Sequence, residues 1–266
     1  MLDREVPEGE YLAAQAGDSP FFPGEVLYPG TRLHKPVPAW RWTAPAEEKP
    51  IPFDYRVLAR TPQLLVVDKP HFLPVSSNGR LVTETVQTRA RVRENNPFIT
   101  PLHRLDRLTA GVVLLSTNPA TRAAYHGLFS GHAIRKTYQA EVIGTPAWAG
   151  PIGGQWRELS LFMLKRSRTV AVVKQQTPGA KKTVTRVRRV GDSGVELQPM
   201  TGHTHQLRVL CAHFGTPIQG DDLYPHARPL DLYDFSTPLR LYANHLEFED
   251  PVTKMPVVYQ REEIGA

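Results

Sequence analysis

The chain has 266 residues, 41% of them hydrophobic, with one cysteine and a formal net charge of +6. That hydrophobic share excludes a disordered chain, and a lone Cys211 excludes a disulfide framework and points to a reducing, cytoplasmic setting. No run approaches the ~18 apolar residues of a membrane helix, residues 1–10 lack the apolar core of a secretory signal, and the excess of cations points to a polyanionic partner.

Residues 1–52 read as a short irregular N-terminal arm and linker, rich in proline and glycine. One short hairpin is expected on the Pro-Gly turns of residues 21–33. Residues 44–52, Ala-Pro-Ala-Glu-Glu-Lys-Pro-Ile-Pro, read as the linker itself, because proline removes backbone donors and restricts its neighbours. The rest, 53–266, reads as one domain. Leu64 to Asp68 is expected as a buried strand and Thr85 to Glu94 as a polar helix. A strand follows over Gly111 to Ser116. Asn118-Pro119 opens a helix to Phe129, since asparagine caps and proline suits the first turn. Arg135 to Ile143 alternates as a strand, with Tyr138, Ala140 and Val142 on one face. Arg168 to Lys174 is a further strand. Lys182 to Val190 and Val195 to Gln198 form a hairpin across Gly191–Gly194. In Thr204 to Phe214, Leu207, Leu210, Cys211 and Phe214 fall at i, i+3, i+4 and i+7, a helix that Gly215 ends. Strands outnumber helices and nothing repeats. The fold class expected is α+β, a mixed, mainly antiparallel central sheet flanked by helices.

The chemistry concentrates in Pro101 to Ser116. Asp106 stands between Arg104 and Arg107, and a nearby cation favours the ionised carboxylate. Such a group can act as a base or a nucleophile. The plainer alternative is a structural Arg-Asp-Arg network ahead of a core strand. Arg208 lies at the edge of an apolar stripe in the first turn of its helix, where the helix end is already partly positive. A carboxylate partner would explain it, and Asp106 is the candidate, at roughly 2.7–3.2 Å. Tyr138 reads either as an alternating core residue or as a ring presented to a flat ligand. His203, His205, His213 and Cys211 invite a metal reading, but their spacing across a helix start is wrong for it, so no metal is expected. Two basic segments remain, Lys165 to Arg168 and Lys181 to Arg189, with Arg186 and Arg188 on one strand face. They form either a solvated sheet face or a phosphate-contacting rim.

His103-Arg104-Leu105-Asp106-x-x-Thr109-Ala110-Gly111 resembles the His-Arg-Leu-Asp-x-x-Thr-Ser-Gly signature of the RluA-type pseudouridine synthases. Arg135-Lys136-Thr137-Tyr138-Gln139-Ala140 resembles that family's Lys-x-Tyr-x-Ala motif. Thr201-Gly202-His203-Thr204-His205-Gln206-Leu207-Arg208 resembles its Thr-Gly-Arg-Thr-His-Gln-Ile/Leu-Arg motif. Val66 to Pro70 is similar to the entry to the domain, and the likeness runs from about Asp54 to Tyr259. Many members of the family begin with a small RNA-binding domain that residues 1–52 are too short to hold whole, so Tyr28 to Trp42 is expected to be either a remnant of its last strands or an unrelated arm. The resemblance implies the pseudouridine synthase catalytic fold and isomerisation of a flipped uridine to pseudouridine in ribosomal or transfer RNA. It implies that Asp106 is the essential carboxylate, that Arg208 holds it ionised and oriented, and that Tyr138 stacks on the base and takes the final ring proton. It further implies Leu207 as the opposite wall, Arg104 as the filler of the gap left in the RNA, and a structural His205-Gln206 pair. Lys136, Arg186 and Arg188 join these as expected RNA contacts. The reaction is redox-neutral and no cofactor is expected. RNA is the expected partner, with neither a membrane nor an obligatory protein partner, and the chain is expected to act as a monomer. Three positions depart from the pattern: Ala110 for serine, His203 for arginine, and a missing glycine after Lys69-Pro70. The alternative class is a non-catalytic RNA-binding or chaperone protein that kept the fold. The retention of Asp106, Tyr138 and Arg208 together argues against it.

Overall fold

The computed structural model describes residues 2–14, 20–22, 24–42, 48–77 and 80–261. The chain divides into two compact units, Met1–Glu48 and Lys49–Ala266.

The first unit is more regular than an arm. It holds a three-stranded antiparallel sheet of β1 (Glu10–Ala13), β2 (Val26–Leu27) and β3 (Ala39–Trp42) in the order β2-β1-β3. Val6, Tyr11, Ala13, Leu27 and Val37 are buried at its centre. Gly24 and Gly30 turn the chain with φ of 85° and 81°. The hairpin expected over residues 21–33 does not form, because β2 pairs back onto β1. Residues 43–47 of the expected linker lie outside the described residues, and Ile51 is already buried in the core of the second unit.

The second unit is built on a large sheet. Its strands are β4 (Arg56–Arg60), β5 (Leu64–Lys69), β6 (Thr100–Pro101), β7 (Ala110–Ser116), β8 (Arg135–Glu141), β9 (Arg157–Arg166), β10 (Thr169–Val172), β11 (Lys181–Arg189), β12 (Gly194–Pro199), β13 (Leu241–Glu249) and β14 (Pro256–Gln260). The order is β10-β9-β11-β12-β8-β13-β7-β5-β4, with β14 on β13 and β6 on β7. Every pairing is antiparallel except β13 with β7. β5 and β7 are buried along their whole length, which is why Leu64 to Val67 and Ala110 to Leu115 read as apolar runs without alternation, Asp68 and Lys69 being buried polar residues at the end of β5. β13 is hard to read in advance because a bulge between Ala243 and His245 breaks its alternation.

Among the described residues the unit also has three α-helices, α1 (Val86–Arg93), α2 (Pro119–Ser130) and α3 (Gln206–His213), and a short 3-10 turn over Ala147–Ala149. Thr85 caps α1 by accepting from the Thr88 N–H, and Asn118 caps α2 by accepting from the Ala120 N–H. On α3, Leu207, Leu210 and Cys211 pack with Leu108, Ala140, Leu197 and Leu241. One glycine sets the geometry of the site. Gly111, the second residue of β7, has φ 121°, and a Cβ there would lie 2.2 Å from the Ala243 carbonyl oxygen. Only glycine admits that approach. Gly111 pairs with Ala243, and Ala243 pairs with Tyr138, so the loop ahead of β7 is brought beside β8.

Candidate active site

Asp106 sits in the loop between β6 and β7, and backbone contacts hold that loop from behind. The fully buried Lys69 ammonium donates to the carbonyls of Pro70 (2.7 Å), Leu73 (2.8 Å) and Arg107 (3.1 Å). Burial pulls its pKa down to about 7. His71 Nδ1 meets the Leu108 carbonyl at 2.6 Å. His103 Nε2 accepts from the Leu114 N–H at 3.1 Å, and its ring stacks on Phe129. Burial lowers His103 to about 3, so the ring is neutral and serves as an acceptor. The His-Arg-Leu-Asp run is thus pinned to β7 at one end and to Lys69 at the other. That function of Lys69 was open to sequence reasoning only as part of the Lys-Pro entry to the domain.

In front of the loop lies a cleft of about 690 Å³, into which Arg104, Asp106, Lys136, Tyr138, Leu207 and Arg208 all project. Tyr138 and Lys136 share one face of β8, two residues apart. Leu207 and Arg208 come from the first turn of α3. Burial, with the charge of Asp106 adding to it, pushes the Tyr138 phenol well above its ordinary range and keeps it protonated. Arg104 is exposed and has no ion-pair partner among the described residues.

The electrostatics differ from expectation at Arg208. Its Nη1 stands 3.8 Å from Asp106 Oδ2, beyond the expected hydrogen-bond distance. Its other donors are spent elsewhere. Nε donates to Asp221 Oδ2 at 2.8 Å, and Nη2 donates to Asp221 Oδ1 and Asp222 Oδ1, both at 2.6 Å. The physical reason is burial. At 3% exposure the guanidinium cannot rely on water, and Asp221, at 1%, completes a bidentate pair. Burial opposes the charge of Arg208, but the Asp221 carboxylate outweighs it and holds the pKa above the usual arginine range. The only forewarning was an Asp-Asp pair directly after Gly220. Arg107, a sequence neighbour of Asp106, turns instead to the Leu232 carbonyl and the ring of Phe72.

The basic segments divide. Lys165 lines the cleft. Arg186 is exposed and lines an adjoining cavity of about 360 Å³, which shares Lys136 with the cleft. Arg188 does not reach either space. It pairs with Glu196, its cross-strand neighbour on β12, and lies over the Trp156 ring at 4.8 Å. Arg166 and Arg168 do not line the cleft either. Cys211 is buried on α3, and among the described residues no three His, Cys, Asp or Glu side chains are grouped to hold a metal ion.

An ionisable carboxylate, a flat buried ring and a cationic rim in one cleft suit a reaction on a base drawn out of a polyanion. Comparison with known proteins agrees. A family model described as RNA pseudouridylate synthase matches residues 63–213. The dual-specificity RNA pseudouridine synthase RluA of Vibrio vulnificus (strain CMCP6) is 32% identical over 198 residues, covering 71% of this chain and 75% of that protein. The mitochondrial tRNA pseudouridine(32) synthase of Saccharomyces cerevisiae is 27% identical over 197 residues, covering 69% of this chain and 39% of that one. The chain spans less than half the length of several such relatives. The solved structure of human RNA pseudouridylate synthase domain containing 1 shares the fold, with a TM-score of 0.61 at 23% identity over 82% of this chain and 86% of that chain. By its family match and its RluA relatives, the chain belongs to the RluA-type RNA pseudouridine synthases.

Proposed function

We propose that this protein isomerises uridine to pseudouridine in structured RNA, with Asp106 as the essential carboxylate. The observation that carries the reading is the half-buried Asp106 carboxylate in one cleft with the Tyr138 ring, Leu207 and the buried cation Arg208. A base in structured RNA must leave its stack to be reached, and it needs flat or apolar walls to hold it. Tyr138 and Leu207 supply such walls. Exposed Arg104 carries a planar guanidinium free to stack in the gap left behind.

Two routes use the same parts. Asp106 attacks the anomeric carbon as the uracil departs, or it removes a sugar proton to give a glycal. Each requires an ionised, oriented carboxylate and a base that turns in place before carbon joins carbon. The bond broken and the bond formed balance without an external oxidant or energy source. The protonated Tyr138 phenol serves first to stack and to donate; it can take up the final ring proton only after giving up its own. Lys136, Lys165 and Arg186 are the cations proposed to meet the phosphates around this nucleotide.

Transfer RNA is within the proposal because one relative is described as acting on tRNA, and ribosomal RNA stays within it as a second structured substrate. A reducing compartment such as the cytoplasm suits the lone buried thiol. The deciding experiment replaces Asp106 by asparagine and follows tritium release from uridine-labelled RNA. Turnover should vanish while RNA binding and fold persist; turnover near the wild-type rate would remove Asp106 from the chemistry.

A further inference from the structure

His205 is not used as its position at the N-cap of α3 would suggest. It stands immediately before the helix, yet its side chain caps none of the free N–H groups. Serine, threonine, aspartate or asparagine would do so better. Its backbone is left-handed at φ 54°, a conformation a side chain other than glycine's adopts at a cost. The ring is turned into the cleft instead.

There its two nitrogens are differently engaged. Nδ1 lies 2.8 Å from the Tyr224 hydroxyl. That hydroxyl already accepts from the Val170 N–H at 2.8 Å. Tyr224 is buried and its hydroxyl has no other acceptor among the described residues, so its proton is directed to Nδ1. The ring's own proton therefore stands on Nε2, which faces Asp106 Oδ2 at 3.8 Å. This is the oxygen that Arg208 Nη1 approaches, also at 3.8 Å. Burial keeps the imidazole uncharged, although Asp106 pulls the other way.

We propose that His205 is a positioning residue for Asp106: its Nε2–H and the Arg208 Nη1–H converge on Oδ2 and leave Oδ1 to act on the ribose. The proposal rests on the reading of Asp106 as the reacting carboxylate. Arg208 alone does not suffice, because Nε and Nη2 belong to Asp221 and Asp222. A single donor lets the carboxylate plane rotate, whereas two donors from different directions fix it. Both contacts are longer than a hydrogen bond, and such contacts commonly tighten when the substrate closes the site.

The test uses the full chain and total RNA, labelled with tritiated uridine, from cells lacking the gene. His205→Phe removes the donor and should lower the rate at saturating RNA about 10–100-fold, the scale of a misplaced reacting group, with little change in the RNA concentration giving half that rate. His205→Gln, which presents an amide donor near the place of Nε2, should recover most of the loss. Nitrogen NMR of the wild type should show His205 protonated on Nε2 and bare on Nδ1, and Tyr224→Phe should abolish that preference and slow turnover. A proton on Nδ1 in the wild type, or an unchanged rate in His205→Phe, overturns the proposal. Should His205→Phe not fold, the glutamine variant and the wild-type spectrum still decide it. A wild type that releases no tritium would instead overturn the proposed function, and the spectrum would still report on the hydrogen-bond arrangement.

Discussion

The two units of this chain carry opposite charge. Residues 1–48 hold four Lys and Arg against eight Asp and Glu; residues 49–266 hold 28 against 18. A polyanion is repelled by the first and attracted by the second. The second unit also owns the cleft, the buried aromatic ring and the buried Arg208 pair. The first has a small core and exposed aromatic residues such as Tyr28 and Trp40, and its four cations are outnumbered by eight carboxylates, which disfavours phosphate recognition. Affinity for RNA and chemistry should therefore reside in the same unit.

The sharpest break would come from the chemistry. Asp106→Asn should cost three or more orders of magnitude in turnover, on the scale seen when a reacting group is removed. Deleting residues 1–48 should leave turnover at saturating RNA within a few-fold. A truncated protein that is as dead as the asparagine variant would place an essential part of the site in the first unit.

Stability should divide in the same way. Arg208→Met leaves the Asp221 carboxylate buried without its cation, which costs about 3–5 kcal/mol. Arg41→Ala in the first unit removes a cation lying 5.9 Å from the Tyr11 ring centroid and should cost under about 1 kcal/mol. Urea denaturation of both variants checks the ranking.

Acid should act on the second unit through its neutral histidines. Burial lowers His103 to about 3 and His71 to about 4, against an ordinary value of 6.5. Between those values the unfolded chain binds protons that the folded chain refuses. Above pH ~6.5 both rings are neutral in either state and folding carries no penalty; the penalty grows as the pH falls toward 4 and then 3, where the two shifts together correspond to on the order of 8 kcal/mol. Denaturation midpoints at pH 7, 5.5 and 4.5 should fall in that order; a flat series would mean that both rings protonate without cost.

The smallest effect concerns phosphate contacts. Replacing Lys136 and Arg186 by alanine should weaken binding to all RNAs alike and flatten the slope of log affinity against log salt by about 0.7 per contact for single strands. Arg188→Ala should leave that slope alone, because its charge already faces Glu196. Removing residues 1–48 should leave the slope unchanged or tighten binding slightly. A steep loss of affinity on that truncation would refute the charge argument.

Much of this was legible in the residues themselves. The apolar runs of β5 and β7, the Asn118-Pro119 start of α2, the hairpin of β11 and β12 and the stripe of α3 follow from local periodicity and capping, which act over a few residues. Asp106 and Arg208 were legible as candidates from their charged settings, while Tyr138 and Leu207 became candidates through the resemblance of their motifs to those of the family. Who pairs with whom was not. Arg104 and Arg107 flank Asp106 in the chain, yet the polar groups facing its carboxylate among the described residues are the neutral His205 and the cation Arg208, about a hundred positions away. Burial then gave Arg208 a stronger claim on Asp221, and cross-strand register gave Arg188 to Glu196. Local pattern decides which elements form, since propensity and periodicity are properties of neighbouring residues. Ion pairing and tautomer depend on burial and on which strands and loops the sheet brings together, and only the tertiary structure decides that.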